Sequence, residues 1–149
     1  PLVKDLMEPS YEWDTRLAPD GRYVLRVTAT DSPDNTPDMA MTATRRSDPF
    51  IIDNTPPEFG AIQVTVNGQS ATITGSVTDA ISPTHAVQYA VDSMDEWHPL
   101  LPVDMIYDST TERFTITIPD LSPGPHVVTL RATDAQGNAR FHAQVVEVK

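Results

Sequence analysis

The chain contains no cysteine. That removes disulfides, thiolate metal sites and cysteine nucleophiles together, while leaving the redox compartment open. No apolar run approaches the roughly 20 residues that a membrane-spanning helix needs. Pro1 to Glu8 lack the basic start and apolar stretch of a signal peptide. Basic residues are scarce, 10 Lys and Arg against 21 Asp and Glu, for a net charge of −11. A surface built to hold a nucleic-acid backbone is basic, so nucleic acid is excluded as a partner, and the apolar content excludes membrane insertion. No Gly-x-Ser-x-Gly elbow, P-loop, dinucleotide fingerprint or His-Glu-x-x-His pair occurs, so no catalytic scaffold is visible.

Proline, by contrast, is abundant: 14 of 149 residues, against a usual share of about 5%. Proline breaks helix interiors and settles at sheet edges and turns, so the count favours strands joined by stiff loops. Internal similarity then sets the organisation. The stretch from Leu17 to Asp31 recurs from Leu121 to Asp134, and each copy closes four residues later on Asn35 or Asn138. From Gly21 to Asn35 the offset is a constant 103 residues without a gap. Within the first copy Tyr23, Leu25, Val27 and Ala29 alternate with Val24, Arg26 and Thr28, the period of a half-buried strand. His126, Val128, Leu130 and Ala132 occupy the same face in the second. Pro19-Asp20-Gly21 and Pro123-Gly124 supply turn chemistry before each strand.

These residues carry a resemblance. Leu17-x-Pro19-x-Gly21-x-Tyr23-x-Leu25-x-Val27-x-Ala29 resembles the E-to-F region of fibronectin type III domains, with Tyr23 at the tyrosine corner. The second copy has His126 there, which puts the corner in doubt in that domain. Ala132-Thr133-Asp134-x-x-Gly137-Asn138 resembles the tandem immunoglobulin-like repeats of bacterial surface proteins. Ile52-Asp53-Asn54-Thr55-Pro56-Pro57 is similar to their interdomain joint. The resemblance implies an all-β chain of immunoglobulin-like or fibronectin-III-like sandwiches, one complete and one partial.

Residues 56–149 carry every strand such a sandwich needs, and no α-helix is expected there. Its runs are Ile62 to Val66, Ala71 to Val77, Val87 to Val91, Trp97 to Leu101, Phe114 to Ile118, the repeat, and Phe141 to Val148, with Asn67-Gly68 as a tight turn. Residues 1–55 carry only the last three strands: Tyr11 and Trp13, Tyr23 to Ala29, and Met41 to Ile52. Three strands cannot bury both faces alone. The expected cover is an upstream domain of the same polypeptide, the second domain, a second copy bound through residues 1–55, or Leu2, Val3, Leu6 and Met7 folding back. Both parts are acidic, with net charges of −4 and −7.

Two constellations are candidate sites. Asp31, Asp34, Asn35, Asp53, Asn54 and Glu58 come from the end of one domain and the start of the next, and calcium takes six to eight oxygen ligands. Asp53-Asn54-Thr55-Pro56 followed by Phe59 is similar to a cadherin linker, and that resemblance implies calcium at the joint. The plainer reading is turn capping, since Asp and Asn are ordinary turn residues. Asp92, Asp95 and Glu96 lie beside Trp97, with Asp104 and Asp108 beyond. An aromatic face among acids is a sugar-binding platform or, more plainly, a core tryptophan next to a solvated hairpin. His85, His98, His126 and His142 show no zinc spacing, although His126 and His142 are candidate neighbours on adjacent strands.

The sequence thus reads as a non-catalytic spacer or interaction module of a larger exported bacterial protein, at the cell surface, in the periplasm or outside the cell. No cofactor is required and calcium is the one ion implied. The chain does not start with an initiating methionine, so its signal is expected upstream. The alternatives are a carbohydrate- or protein-binding module using the Trp97 region, and an accessory domain of an enzyme.

Overall fold

The computed structural model describes residues 1–149, which divide into two compact units, Pro1–Ile52 and Asp53–Lys149. The chain is all-β with antiparallel sheets and no α-helix. No helix is long and apolar enough to cross a membrane.

In the first unit, strands β1 (Gly21–Tyr23) and β2 (Arg26–Thr30) pair with β4 (Phe50–Ile52) and β3 (Thr42–Arg46) respectively. The two expected runs Tyr23–Ala29 and Met41–Ile52 are therefore one hairpin, broken midway. Gly21 opposes Ile52 and Arg26 opposes Arg46, so the register slips by one residue between the two ladders. The extra residue lies in Ser47-Asp48-Pro49. Pro49 has no N–H to give a ladder, and the Ser47 hydroxyl instead accepts the Leu25 N–H at 3.0 Å. This is a bulge, a common way of bending a strand pair.

Tyr11 and Trp13 do not form the expected strand. Asp14 accepts the Arg16 N–H at 3.1 Å and caps a 3-10 turn over Thr15–Leu17, which turns the chain away from extension. Trp13 instead packs edge-on to Tyr23, with ring centroids 6.2 Å apart, and Tyr23 packs against Phe50. The Tyr23 hydroxyl donates to the Pro19 carbonyl at 2.5 Å, the bond expected of a tyrosine corner. Leu2, Val3, Leu6 and Met7 are exposed, so they do not fold back as cover.

The second unit contains β5 (Glu58–Phe59), β6 (Gln63–Asn67), β7 (Ser70–Thr78), β8 (Thr84–Val91), β9 (His98–Leu100), β10 (Thr111–Ile118), β11 (Gly124–Asp134) and β12 (Ala139–Val148). One sheet runs β10-β7, with β5 and β6 sharing the other edge of β7. The second runs β12-β11-β8-β9. Asn67-Gly68 closes the β6–β7 hairpin, and Gly68 adopts φ 59°, a left-handed conformation that suits glycine. Inward residues of both sheets meet in one core: Ala71, Ile73 and Val77 of β7, Phe114 of β10, Val87 of β8, Val128, Leu130 and Ala132 of β11, and Val146 and Val148 of β12. The alternation of β11, buried at every even position from His126 to Asp134, is the sequence period made physical. Sequence reading put the boundary after residue 55. The structure attaches Asp53 to the second unit through hydrogen bonds to Ser82 and Asn138.

Candidate functional site

Three strand ends and the leading segment of the second unit converge at one pole. Asp53 opens the unit, Asp79 follows β7, and Asp134 ends β11. They are 6%, 5% and 1% exposed. One carboxylate oxygen from each lies within 4.8 Å of the other two. Burying like charges this close is unfavourable unless donors or a cation compensate.

Each carboxylate is oriented by its own loop. Asp53 accepts the Thr55 N–H at 3.1 Å on Oδ1 and the Ser82 hydroxyl at 2.5 Å on Oδ2. Asp79 accepts the N–H groups of Ile81 and Ser82 at 2.9 and 2.8 Å, both on Oδ1. Asp134 accepts Gln136 and Asn138 N–H at 2.8 Å on Oδ1, and the Asn138 amide at 2.7 Å on Oδ2. Gly137, at φ 92°, supplies the left-handed residue that brings Asn138 back onto Asp134. The same Asn138 amide donates to the Asp53 carbonyl at 2.9 Å, so it joins two members of the triad.

A fourth oxygen stands nearby in the fold. Thr84 opposes Asp134 across the β8–β11 ladder, where the register slips between Thr133 and Asp134. The slip turns Thr84 inward and leaves His85 exposed, although the alternation from Val87 would have turned residue 85 inward. Thr84 is fully buried, and its hydroxyl has no hydrogen-bond partner. An orphaned buried hydroxyl is rare in a folded protein. The three carboxylates form an all-oxygen donor set, which suits hard divalent cations such as calcium or magnesium. The residues fit such an ion on donor chemistry and burial.

Of the six residues expected to hold calcium, only Asp53 belongs to this cluster. Asn54 is half-buried beside it, and Glu58 is exposed on β5. Asp31, Asp34 and Asn35 lie in the first unit and cap their own turn. The Asp31 carboxylate accepts the Met41 N–H at 2.6 Å, while Asp34 N–H and the Asn35 amide donate to the Asp31 carbonyl, each at 3.0 Å. Asp79 and Asp134 escaped sequence reading as ligands. A signal for Asp134 was present: it is the repeat counterpart of Asp31, at the same strand end.

The acids around Trp97 are held by partners of their own. Asp92 bonds His126 Nδ1 at 2.7 Å and the Val127 N–H at 2.8 Å. Asp95 accepts from Ser93, and Glu96 lies 3.9 Å from His98. Trp97 is neither core nor free platform: Arg131 sits 4.4 Å over its ring and Phe141 meets it edge-on at 6.1 Å. Arg131 is itself fixed by Gln88 at 3.1 Å.

His126 and His142 are not neighbours, since His126 opposes Val146 and His142 opposes Leu130. His126 takes the role of Tyr23, its Nε2 meeting the Ser122 carbonyl at 2.8 Å. Both partners of its ring are acceptors, so the doubly protonated imidazolium satisfies both contacts. The bond to Asp92, then the Ser122 carbonyl, raise its pKa above the ordinary value, while His126 and the Val127 N–H lower that of Asp92. No protein-family model matches the chain, and no curated protein does.

Proposed function

We propose that the chain is a non-catalytic spacer and interaction segment of a larger exported bacterial protein. Its second unit is an immunoglobulin-like or fibronectin-III-like sandwich that takes a calcium ion between Asp53, Asp79 and Asp134. One observation carries this reading: the first residue of the unit is also a member of a buried carboxylate triad. Such a cation ties the leading segment of the unit to the ends of β7 and β11. The segment that follows, Pro56-Pro57, is stiff by composition, and Pro57 is buried. A firmly held leading segment of this kind suits a spacer.

Calorimetric titration of calcium into chelator-treated protein tests the reading. One ion per chain is expected, and Asp134→Asn abolishes the heat. Titration without heat, in protein that remains folded, rules the cation out. A carbohydrate-binding role through Trp97 has weaker support because Arg131 occupies one face of its ring.

A further inference from the structure

The repeat gives the first unit a template, and the template exposes what is missing. Leu25, Val27 and Ala29 are the counterparts of Val128, Leu130 and Ala132. The latter three are 0% exposed, whereas Leu25 is 39% and Val27 66% exposed, and Ala29 is exposed as well. The difference follows from neighbours. β11 lies between β12 and β8, while β2 has β3 on one side and no strand on the other.

The backbone groups match position by position. Ser47 N–H donates to the Leu25 carbonyl at 2.9 Å and Asp31 N–H to the Met41 carbonyl at 3.2 Å. Leu25, Val27 and Ala29 therefore direct their amides and carbonyls to β3, and Arg26, Thr28 and Thr30 direct theirs to the open edge. In β11, Asp92 N–H donates to the Val127 carbonyl at 2.8 Å. Val127, Thr129, Arg131 and Thr133 thus face β8, and they are the counterparts of Val24, Arg26, Thr28 and Thr30. The open edge of β2 presents the same groups that β11 uses to hold β8.

We propose that this edge docks an antiparallel strand of the β8 kind, supplied by polypeptide outside these 149 residues. It continues the β2–β3 ribbon and begins to cover Leu25 and Val27. The incoming strand carries apolar side chains at alternate positions, as Val87, Tyr89 and Val91 do on β8. It also carries an acidic residue opposite Arg26. Arg26 and Arg46 are directly paired across β2 and β3. Like charges placed opposite one another destabilise a ladder, and a carboxylate on the third strand relieves them. Main-chain bonds supply affinity in this mode, and alternate side chains supply specificity. The inference is independent of the calcium reading, since none of Asp53, Asp79 and Asp134 enters it.

The chain provides its own probe. Residues 82–93, which contain β8, are fused to Pro1 through a flexible glycine-serine linker of about 20 residues, spanning about 25 Å on average. Tethering raises the effective concentration to the millimolar range. Hydrogen exchange at the Arg26, Thr28 and Thr30 amides is expected to slow at least tenfold relative to the unfused chain. Changing the probe's Ala90, the residue that would face Arg26, to Glu should slow exchange further. A control probe with its Val87, Tyr89 and Val91 all replaced by Ser should leave the rates unchanged. Unchanged rates with the native probe, or equal protection with the control, overturn the proposal. So does an unfused chain that already dimerises with these amides protected, because a second copy is then the occupant.

Discussion

Calcium removal and the Asp79→Asn substitution test the pole of the second unit from two sides. With free calcium at 100 times its dissociation constant, a site present only in the folded state adds about 2.7 kcal/mol. For a unit of about 100 residues, each kcal/mol moves the melting temperature by roughly 4–8 °C. The calcium-loaded protein should therefore melt about 10–20 °C above the chelated one. In the chelated protein the triad works against the fold. Charges no more than 4.8 Å apart repel by about 3 kcal/mol or more per pair at an effective dielectric constant near 20, before relaxation and water reduce it. Asp79→Asn removes two of the three repulsions, and the amide oxygen still accepts the N–H groups of Ile81 and Ser82. In EDTA the variant should melt above the parent by about 1–3 kcal/mol equivalent, and calcium should no longer shift it. Scanning calorimetry of both proteins with EDTA and with calcium decides the matter. If neither condition moves the parent and Asp79→Asn melts lower, the carboxylates are turn caps and the electrostatic reasoning fails.

The His126–Asp92 pair sets a pH dependence. The folded pKa of His126 is raised, so its contribution is complete below the ordinary histidine value near 6.5 and fades as pH climbs from there through the raised value. The lowered Asp92 pKa makes its contribution present above the ordinary carboxylate range and lost as pH falls through the depressed value. Melting curves from pH 5 to 9 should decline on the alkaline side for the parent and stay flat for His126→Tyr. Parallel profiles would show that the imidazolium contributes nothing. Gly75→Ala should destabilise the second unit by about 1–3 kcal/mol in urea, because a Cβ there meets Ile62 at 2.5 Å and Phe114 at 2.8 Å. Phe114→Ala empties a core position that is 2% exposed and should cost about 3–5 kcal/mol. An unchanged urea midpoint in either variant would contradict the packing described.

The strands of the second unit were legible because alternation is local. Val128, Leu130 and Ala132 announce their face without knowledge of any partner. The hairpin of the first unit was legible as two runs, but its break was not, because Pro49 matters only once the opposing register is known. Tyr11 and Trp13 look like strand residues in isolation, and the Asp14 cap overrides them. Asp53 was found because it sits in a recognisable joint. Asp79 and Asp134 were not, because three strand ends meeting at one pole is a property of the fold. Trp97 shows the same limit: its sequence neighbours are acids, yet its neighbours in space are Arg131 and Phe141.

The bond between Asn138 and Asp53 has a mechanical consequence. It fixes the first residue of the second unit beside the start of β12, and the last residue follows the far end of that strand. Ten extended residues span about 33 Å, so tension between Asp53 and Lys149 runs along β12 rather than across it. The ten residue pairs joining β11 to β12 are then strained together in shear, not peeled apart singly. A unit strung this way yields abruptly at high force and lengthens little before it does.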